Sequence, residues 1–367
     1  MSRKLKSDRM LFYTTTILAF AGLVMVYSAS NMLKPLDDAQ SSLFLIKQIL
    51  FTVLGVAAMA VTMRIDYHAY QMPKVIWTLM AVSVVTLIAV LLFGPKINGA
   101  RRWFRLAGVG IQPSEFAKIA IIIFTAAVLE RRMDRITEVR YALGPIAIAL
   151  AVTLPFIYKE PDMGTTVVVL AVVGVRIFAA GLPLKYLAGL AAIGVPAVAA
   201  IALKDAYRMN RFLIFLNPEQ DPQDKGFQIL QSLIAVGTGG ISGRGLGESV
   251  QKMQYLPYPH SDFIYAVTAE ELGLVGASLM LFGFAILTWR GLRVAYRAPD
   301  AFGSLLALGL TTMIGLQAFV NISVVLGLLP TKGIALPLIS AGGSSLIVSL
   351  AGMGVLLNIS QQASADA

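Results

Sequence analysis

Long uncharged apolar runs alternate with short polar connectors along nearly all of the 367 residues. A helix needs roughly 17–25 apolar residues to cross a bilayer core. Residues 11–29, 75–93, 141–158, 186–203 and 272–289 meet that length without a charge. Runs 301–331 and 333–360 are longer and fit a tilted span or one with a broken end. Three further runs are interrupted: 43–63 by Lys47, 116–129 by Lys118 and 163–180 by Arg176. Lys47 and Arg176 stand near span ends, where a long side chain snorkels to the interface. The stretch 226–241 is apolar but short and holds Gln228, Gln231 and Ser232. It reads as a re-entrant or interfacial helix. The pattern predicts an all-α integral membrane protein, a bundle of ten transmembrane helices forming a single domain over 1–367.

Basic residues set the orientation. Arg3, Lys4, Lys6 and Arg9 precede the first run, and only Lys34 follows it, beside Asp37 and Asp38. The N-terminal tail, 1–10, is therefore expected in the cytoplasm as part of an anchor, and ten spans return the C-terminus to the same side. A large extracytoplasmic loop, 204–262, then joins helices 7 and 8. This orientation puts Lys96, Arg101, Arg102 and Arg105 outside, against the usual preference, which suggests that the outer face holds a polyanion.

Composition narrows the chemistry. The chain is 57% hydrophobic and 14% charged. An ordinary soluble domain carries about 25% charged residues, so neither a soluble enzyme nor a disordered chain fits. There is no cysteine and only His68 and His260, which excludes disulfides, thiolate chemistry and a histidine-rich metal site. A net charge of +10 favours anionic headgroups or an anionic substrate. Nucleic acid is a poor fit, because no soluble basic domain is present to carry it.

Several polar motifs fall at the predicted outer ends of the spans. Arg102 and Trp103 follow a flexible Asn98-Gly-Ala turn, a guanidinium for phosphate oxygens beside an indole for a sugar or headgroup. Glu115 and Lys118 lie three residues apart at the start of the fourth span and are placed to pair. Glu160 and Asp162 form a short acidic turn, either to neutralise the arginines or, for Asp162, to cap the sixth span. Tyr255-Leu-Pro-Tyr-Pro-His-Ser-Asp262 leads straight into apolar residues, so Asp262 is fixed at a helix start. Ser261 or Asp262 there is an N-cap or, alternatively, Asp262 is a general base beside a cationic pocket. His260, between turn residues, reads as a surface histidine. Glu270 and Glu271 follow and need partners inside the bundle. The segment 329–345, with Pro330, Pro337 and paired glycines, breaks the last two spans against protein or a wet cavity.

Taken in order, these segments resemble the SEDS family of bacterial wall polymerases (shape, elongation, division and sporulation). The likeness runs from Tyr13 to Ser360. It rests on Asn98-Gly-Ala with Arg102-Trp103, Gln112-Pro-Ser-Glu115 with Lys118, Pro161-Asp-Met-Gly-Thr165, Tyr207-Arg208 with Arg211, Pro259-His-Ser-Asp-Phe-Ile264, Glu270-Glu-Leu-Gly273 and Pro330-Thr-Lys-Gly333 with Gly342-Gly-Ser-Ser345. Pro259-His260 and Pro330-Thr-Lys-Gly333 are more similar to the division branch than to the elongation branch. Ala341 stands where the family usually has Tyr, and Ser261 where Thr is commoner.

The resemblance implies a peptidoglycan glycosyltransferase of the bacterial cytoplasmic membrane. Such an enzyme polymerises lipid II on the outer face and works with a class B penicillin-binding protein transpeptidase. It maps the essential aspartate onto Asp262. Arg102, Lys118 and Arg211 are then candidates for the pyrophosphate, with Trp103 and Ser261 at the substrate. Glu115, Asp162 and Lys332 are expected in support. A divalent cation, Mg or Mn, would suit the pyrophosphate, although no ligand cluster in the sequence establishes one. The rival readings are a lipid II flippase and a non-catalytic scaffold that recruits the transpeptidase.

Overall fold

The computed structural model describes residues 7–30, 38–97, 99–106, 109–186, 188–189, 192, 194, 196, 209, 213–218, 225–253, 256, 259–331 and 333–363. Its helices are α1 (Arg9–Ser30), α2 (Asp38–Arg64), α3 (Pro73–Phe93), α4 (Pro113–Arg132), α5 (Val139–Lys159) and α6 (Met163–Ala179). They continue as α7 (Lys225–Thr238), α8 (Ile264–Arg297), α9 (Ala301–Val325) and α10 (Gly343–Gln362). A helix occupies every predicted span except 186–203, most of which lies outside the described residues. Seven of these helices are long and apolar enough to cross a membrane, by length and composition.

Local chemistry sets the helix ends. Pro73 and Pro113 open α3 and α4, where a missing N–H costs nothing. Asp162 caps α6 by accepting from Thr165 N at 3.0 Å, and Asp300 caps α9 by accepting from Gly303 N at 2.7 Å. Nearly every residue of α10 from Leu346 to Ser360 is buried or partly buried, as expected of a helix that is apolar all round. It packs on α2, where a methyl group at Gly354 would meet Met59 O at 2.4 Å. With α4 and α9 it forms the centre of the bundle, and apolar side chains such as Phe93, Ile148 and Leu279 cover the outside. An exposed surface of this kind suits lipid.

Four features refine the sequence reading. First, the chain is mostly but not wholly helical: strands β1 (Phe104–Leu106) and β2 (Val109–Ile111) form an antiparallel hairpin before α4. Three-residue strands are too short to show a period of two. Second, the helix that begins at Ile264, directly after the Asp262 turn as expected, is broken at Gly273, where φ is 65°. Glu270 and Glu271, just before the break, are both fully buried, as residues that need partners inside the bundle should be. Third, α9 ends at Val325 and α10 starts at Gly343, so 326–331 and 333–342 are irregular chain between them, in line with the break expected over 329–345. Fourth, Arg176 does not snorkel. It is 0% exposed and donates to Ile122 O at 2.7 Å and to Thr125 Oγ1, both on α4.

The break in α8 is filled by the loop that follows α7. Arg244 N and Gly245 N donate to the carbonyls of Glu270 and Glu271 (both 3.0 Å), and Leu274 N and Val275 N donate to Gly240 O and Ile241 O (2.9 and 3.2 Å). The loop thereby supplies the hydrogen bonds that the interrupted helix has lost. No side chain fits the junction, because a methyl at Gly273 would lie 2.3 Å from Gly243 N. The carboxylates are satisfied as well. Glu270 accepts from Ser249 Oγ at 2.5 Å and from Val250 N at 3.0 Å. Glu271 accepts from Lys252 Nζ at 2.7 Å and from Ser28 Oγ at 2.6 Å. The stretch expected to be re-entrant is α7, tied to the end of α9 by Ser232 Oγ donating to Val325 O at 2.8 Å.

Candidate functional site

Three successive carbonyls fix the turn that carries Asp262. Ala341 N donates to His260 O at 2.9 Å. Ser340 Oγ donates to Ser261 O at 2.6 Å, and Asn321 Nδ2 donates to Asp262 O at 2.8 Å. The donors come from α9 and the irregular segment before α10. That segment is itself braced, since Ser340 Oγ accepts from Leu336 N at 2.7 Å and Asn321 Nδ2 also reaches Ile334 O at 2.7 Å. Asp262 is partly buried, and its Oδ2 lies so close to Gly333 that a methyl there would sit 3.0 Å away. Asp262 does not cap α8, whose N-cap is Phe263. His260 is partly buried rather than on the surface, and burial pushes its pKa below the ordinary imidazole value, so the ring is neutral near pH 7.

On the other side of the same segment stands Asp162. Gly164 packs against Ile334, leaving no room for a side chain: a methyl would meet Ile334 Cγ1 at 2.5 Å. Asp162 is buried, and besides capping α6 its Oδ2 accepts from Thr165 Oγ1 at 2.8 Å and Gln112 Nε2 at 3.0 Å. Gln112 N in turn donates to Ser344 Oγ of α10 at 3.1 Å. Asp162 is thus a structural hub joining α4, α6 and α10 to the Asp262 segment. Of the two readings open for Asp162 in the sequence, the cap matches the geometry.

Arg102 grips the same turn by its backbone, with Nε donating to Glu160 O at 2.6 Å and Nη2 to Pro161 O at 2.8 Å. Its guanidinium carbon lies 6.0 Å from the centre of the Trp103 ring, so the two expected partners are adjacent. Glu160 does not face Arg102 with its carboxylate. It is 0% exposed and neither of its oxygens has a hydrogen-bond partner. Burial, together with the neighbouring Asp162 charge, raises its pKa to about 8 against a smaller opposing pull from Arg102. Glu160 is accordingly protonated at pH 7.

Lys118 and Glu115 pair as their spacing suggests, at 2.9 Å, with Lys118 only 2% exposed. Lys118 also borders a cavity of about 10 Å³ between α4, α6 and α9, otherwise lined by aliphatic side chains such as Val169 and Met313. Arg211 and Lys332 lie outside the described residues. Among the described residues no three His, Asp or Glu side chains gather as metal ligands, and the oxygens of Asp162 are already engaged. The described donor set does not fit a protein-held cation.

Sequence reasoning assigned no role to Asn321, Ser340 or Gln112. Asn321 carried one signal, an amide inside an apolar span, which demands a partner. Ser340 and Gln112 lie within motifs already singled out, but no local pattern names their distant partners Ser261, Asp162 and Ser344.

The chain matches the family model described as cell cycle protein, FtsW/RodA/SpoVE, over residues 8–365. A probable peptidoglycan glycosyltransferase FtsW of Geobacter sp. (strain M18) is 43% identical, with 96% of each chain covered. Stage V sporulation protein E of Bacillus subtilis (strain 168) is 41% identical, with 98% of each covered. Among solved structures, a chain from work on the structural coordination of polymerization and crosslinking by a peptidoglycan synthase complex superposes with a TM-score of 0.80. It shares 30% identity and covers 98% of this chain and 99% of its own. The rod shape determining protein RodA of Thermus thermophilus gives a TM-score of 0.72 at 28% identity, covering 98% of both chains.

Proposed function

The chain belongs to the FtsW/RodA/SpoVE family of cell cycle proteins, and from that premise we propose that it is a peptidoglycan glycosyltransferase that polymerises lipid II. The acceptor is a sugar hydroxyl and the donor an anomeric carbon bound to a lipid diphosphate. As the hydroxyl oxygen attacks, Asp262 takes its proton, the bond from anomeric carbon to diphosphate breaks, and the lipid diphosphate leaves. Direct displacement converts an α linkage into a β glycosidic bond. The leaving group is already stabilised as an anion, so one base suffices where a glycosidase uses two carboxylates.

The observation that carries this reading is the anchoring of Asp262. Its own carbonyl and the two before it are tethered, while its carboxylate rests beside a glycine that leaves it room. A base held in this way loses little freedom at the moment of reaction. Arg102 and Trp103 are the first candidates for the diphosphate and sugar, with Arg102 keeping Nη1 for a ligand while its other donors hold the turn. Lys118, paired with Glu115, and Arg211 remain candidates for the diphosphate, with Lys332 in support.

The reading places the Asp262 end of the bundle on the outer face of the bacterial cytoplasmic membrane. It takes a class B penicillin-binding protein as partner, in keeping with the synthase complex to which the chain is similar. Purified protein, with such a transpeptidase and labelled lipid II, should give a ladder of glycan strands on a gel, and Asp262→Asn should give none. Lipid transfer across vesicles without any polymer from the wild type would instead favour a flippase, and loss of both activities a scaffold.

A further inference from the structure

Asn321 is a buried amide in the largely apolar helix α9, 2% exposed. Both acceptors of its Nδ2, Asp262 O and Ile334 O, are main-chain carbonyls, so the amide must present its NH₂ group to them. Burying an amide is costly unless its donors are used. Here neither carbonyl belongs to a helix or strand: one ends the turn before α8, the other lies in the irregular chain before α10. The two tethered residues bracket the gap where the carboxylate sits. Ile334 adjoins Gly333, where a methyl would lie 3.0 Å from Asp262 Oδ2. One side chain therefore links the backbone of Asp262 directly to the backbone beside its carboxylate.

We propose that Asn321 is a positioning residue for glycosyl transfer: it registers Asp262 against the Gly333–Ile334 wall by holding both backbones on one amide, and it touches no substrate. The proposal rests on the reading of Asp262 as the base. It makes a specific demand on chemistry. Replacement by Asp keeps the shape but offers acceptor oxygens to two carbonyls, so it should fail as fully as Ala does. Ser340, which tethers Ser261 O one residue earlier, should produce the same kind of defect when changed to Ala, with smaller amplitude.

The test uses the full chain with its transpeptidase and labelled lipid II. It compares Asn321→Ala, Asn321→Asp, Ser340→Ala and Asp262→Asn, with size-exclusion and thermal midpoints showing which variants are folded. Two readouts are taken: initial polymerisation rates against lipid II concentration, and backbone hydrogen exchange over 259–263 and 333–336. We expect kcat to fall by about 10–100-fold for both Asn321 variants, the loss that roughly 1 Å of misplacement produces. KM should stay within about twofold, because ground-state binding is untouched, and exchange should rise in both segments together. Wild-type kcat in a folded Asn321→Asp, or faster exchange without any loss of kcat, overturns the positioning role alone. A loss confined to KM overturns it too, by assigning Asn321 to binding. A fully active Asp262→Asn overturns the base reading and this proposal with it. If neither Asn321 variant folds, Ser340→Ala decides, and wild-type kcat there overturns the proposal.

Discussion

Glu160→Gln should make the protein more stable, and more so as the pH rises. The wild-type carboxyl is buried in the turn between α5 and α6 with no partner for either oxygen, and its pKa is raised from the ordinary 4.5 to about 8 by burial and by Asp162. Below pH 4.5 the folded and unfolded chains both hold the proton, and the group contributes nothing. Between 4.5 and about 8 only the unfolded chain releases it, so stability declines by up to ~1.4 kcal/mol per pH unit. Above that range the full penalty applies, of the order of 5 kcal/mol before the structure relaxes. Gln carries no charge and escapes the whole decline. At ~2 °C per kcal/mol, the low end for sizeable domains, the midpoint of the variant should exceed that of the wild type by ~5–10 °C at pH 8.5. At pH 5 the two should agree within ~2 °C. The assay is intrinsic fluorescence during thermal unfolding in detergent across pH 5–9, read as the difference between the proteins so that other carboxylates cancel. A difference that does not change with pH, or a variant less stable throughout, would refute the claim that Glu160 is buried in its neutral form.

Gly333→Ala brings a methyl to 3.0 Å from Asp262 Oδ2, and the carboxylate is the part able to yield. Polymerisation should fall about tenfold or more while the thermal midpoint stays unchanged, as gel rates and fluorescence will report. Lys252→Met strips Glu271 of its cation in a fully buried pair joined at 2.7 Å, and should cost ~3–5 kcal/mol by thermal unfolding. Adding Glu271→Leu should recover much of that loss, because no uncompensated charge is then left. Asp162→Ala removes the cap of α6, worth ~1–2 kcal/mol, whereas Asp162→Asn keeps an acceptor for Thr165 N and should cost less than ~1 kcal/mol in the same assay.

The course of the bundle was legible because an apolar run of bilayer length must satisfy its backbone internally once it leaves water, and a helix does so. Every such run in the described chain is a helix. Asp262 was legible for a local reason of its own: two prolines and a following apolar run fix a carboxylate at a helix start. The break in α8 was not, because the signals that mark it are tertiary. Glu270 and Glu271 call for partners inside the bundle, but nothing local names Ser249, Lys252 and Ser28 as those partners. Arg176 misled in the same way, since a position near a span end says nothing about which neighbour accepts its hydrogen bonds. Asp162 was left between a countercharge and a cap, and its contacts with Thr165 and Gln112 favour the second. The hairpin beside Arg102 escaped because strands this short have no periodicity to read.

The most direct test of the chemistry is to delete the carboxylate and supply another. Asp262→Ala, purified with its transpeptidase and given labelled lipid II, should polymerise at least about a hundredfold more slowly than wild type, the usual contribution of a general base. Adding formate should restore strand synthesis in proportion to its concentration and leave the wild type unaffected. Strand synthesis by Asp262→Ala at the wild-type rate without formate would contradict the account.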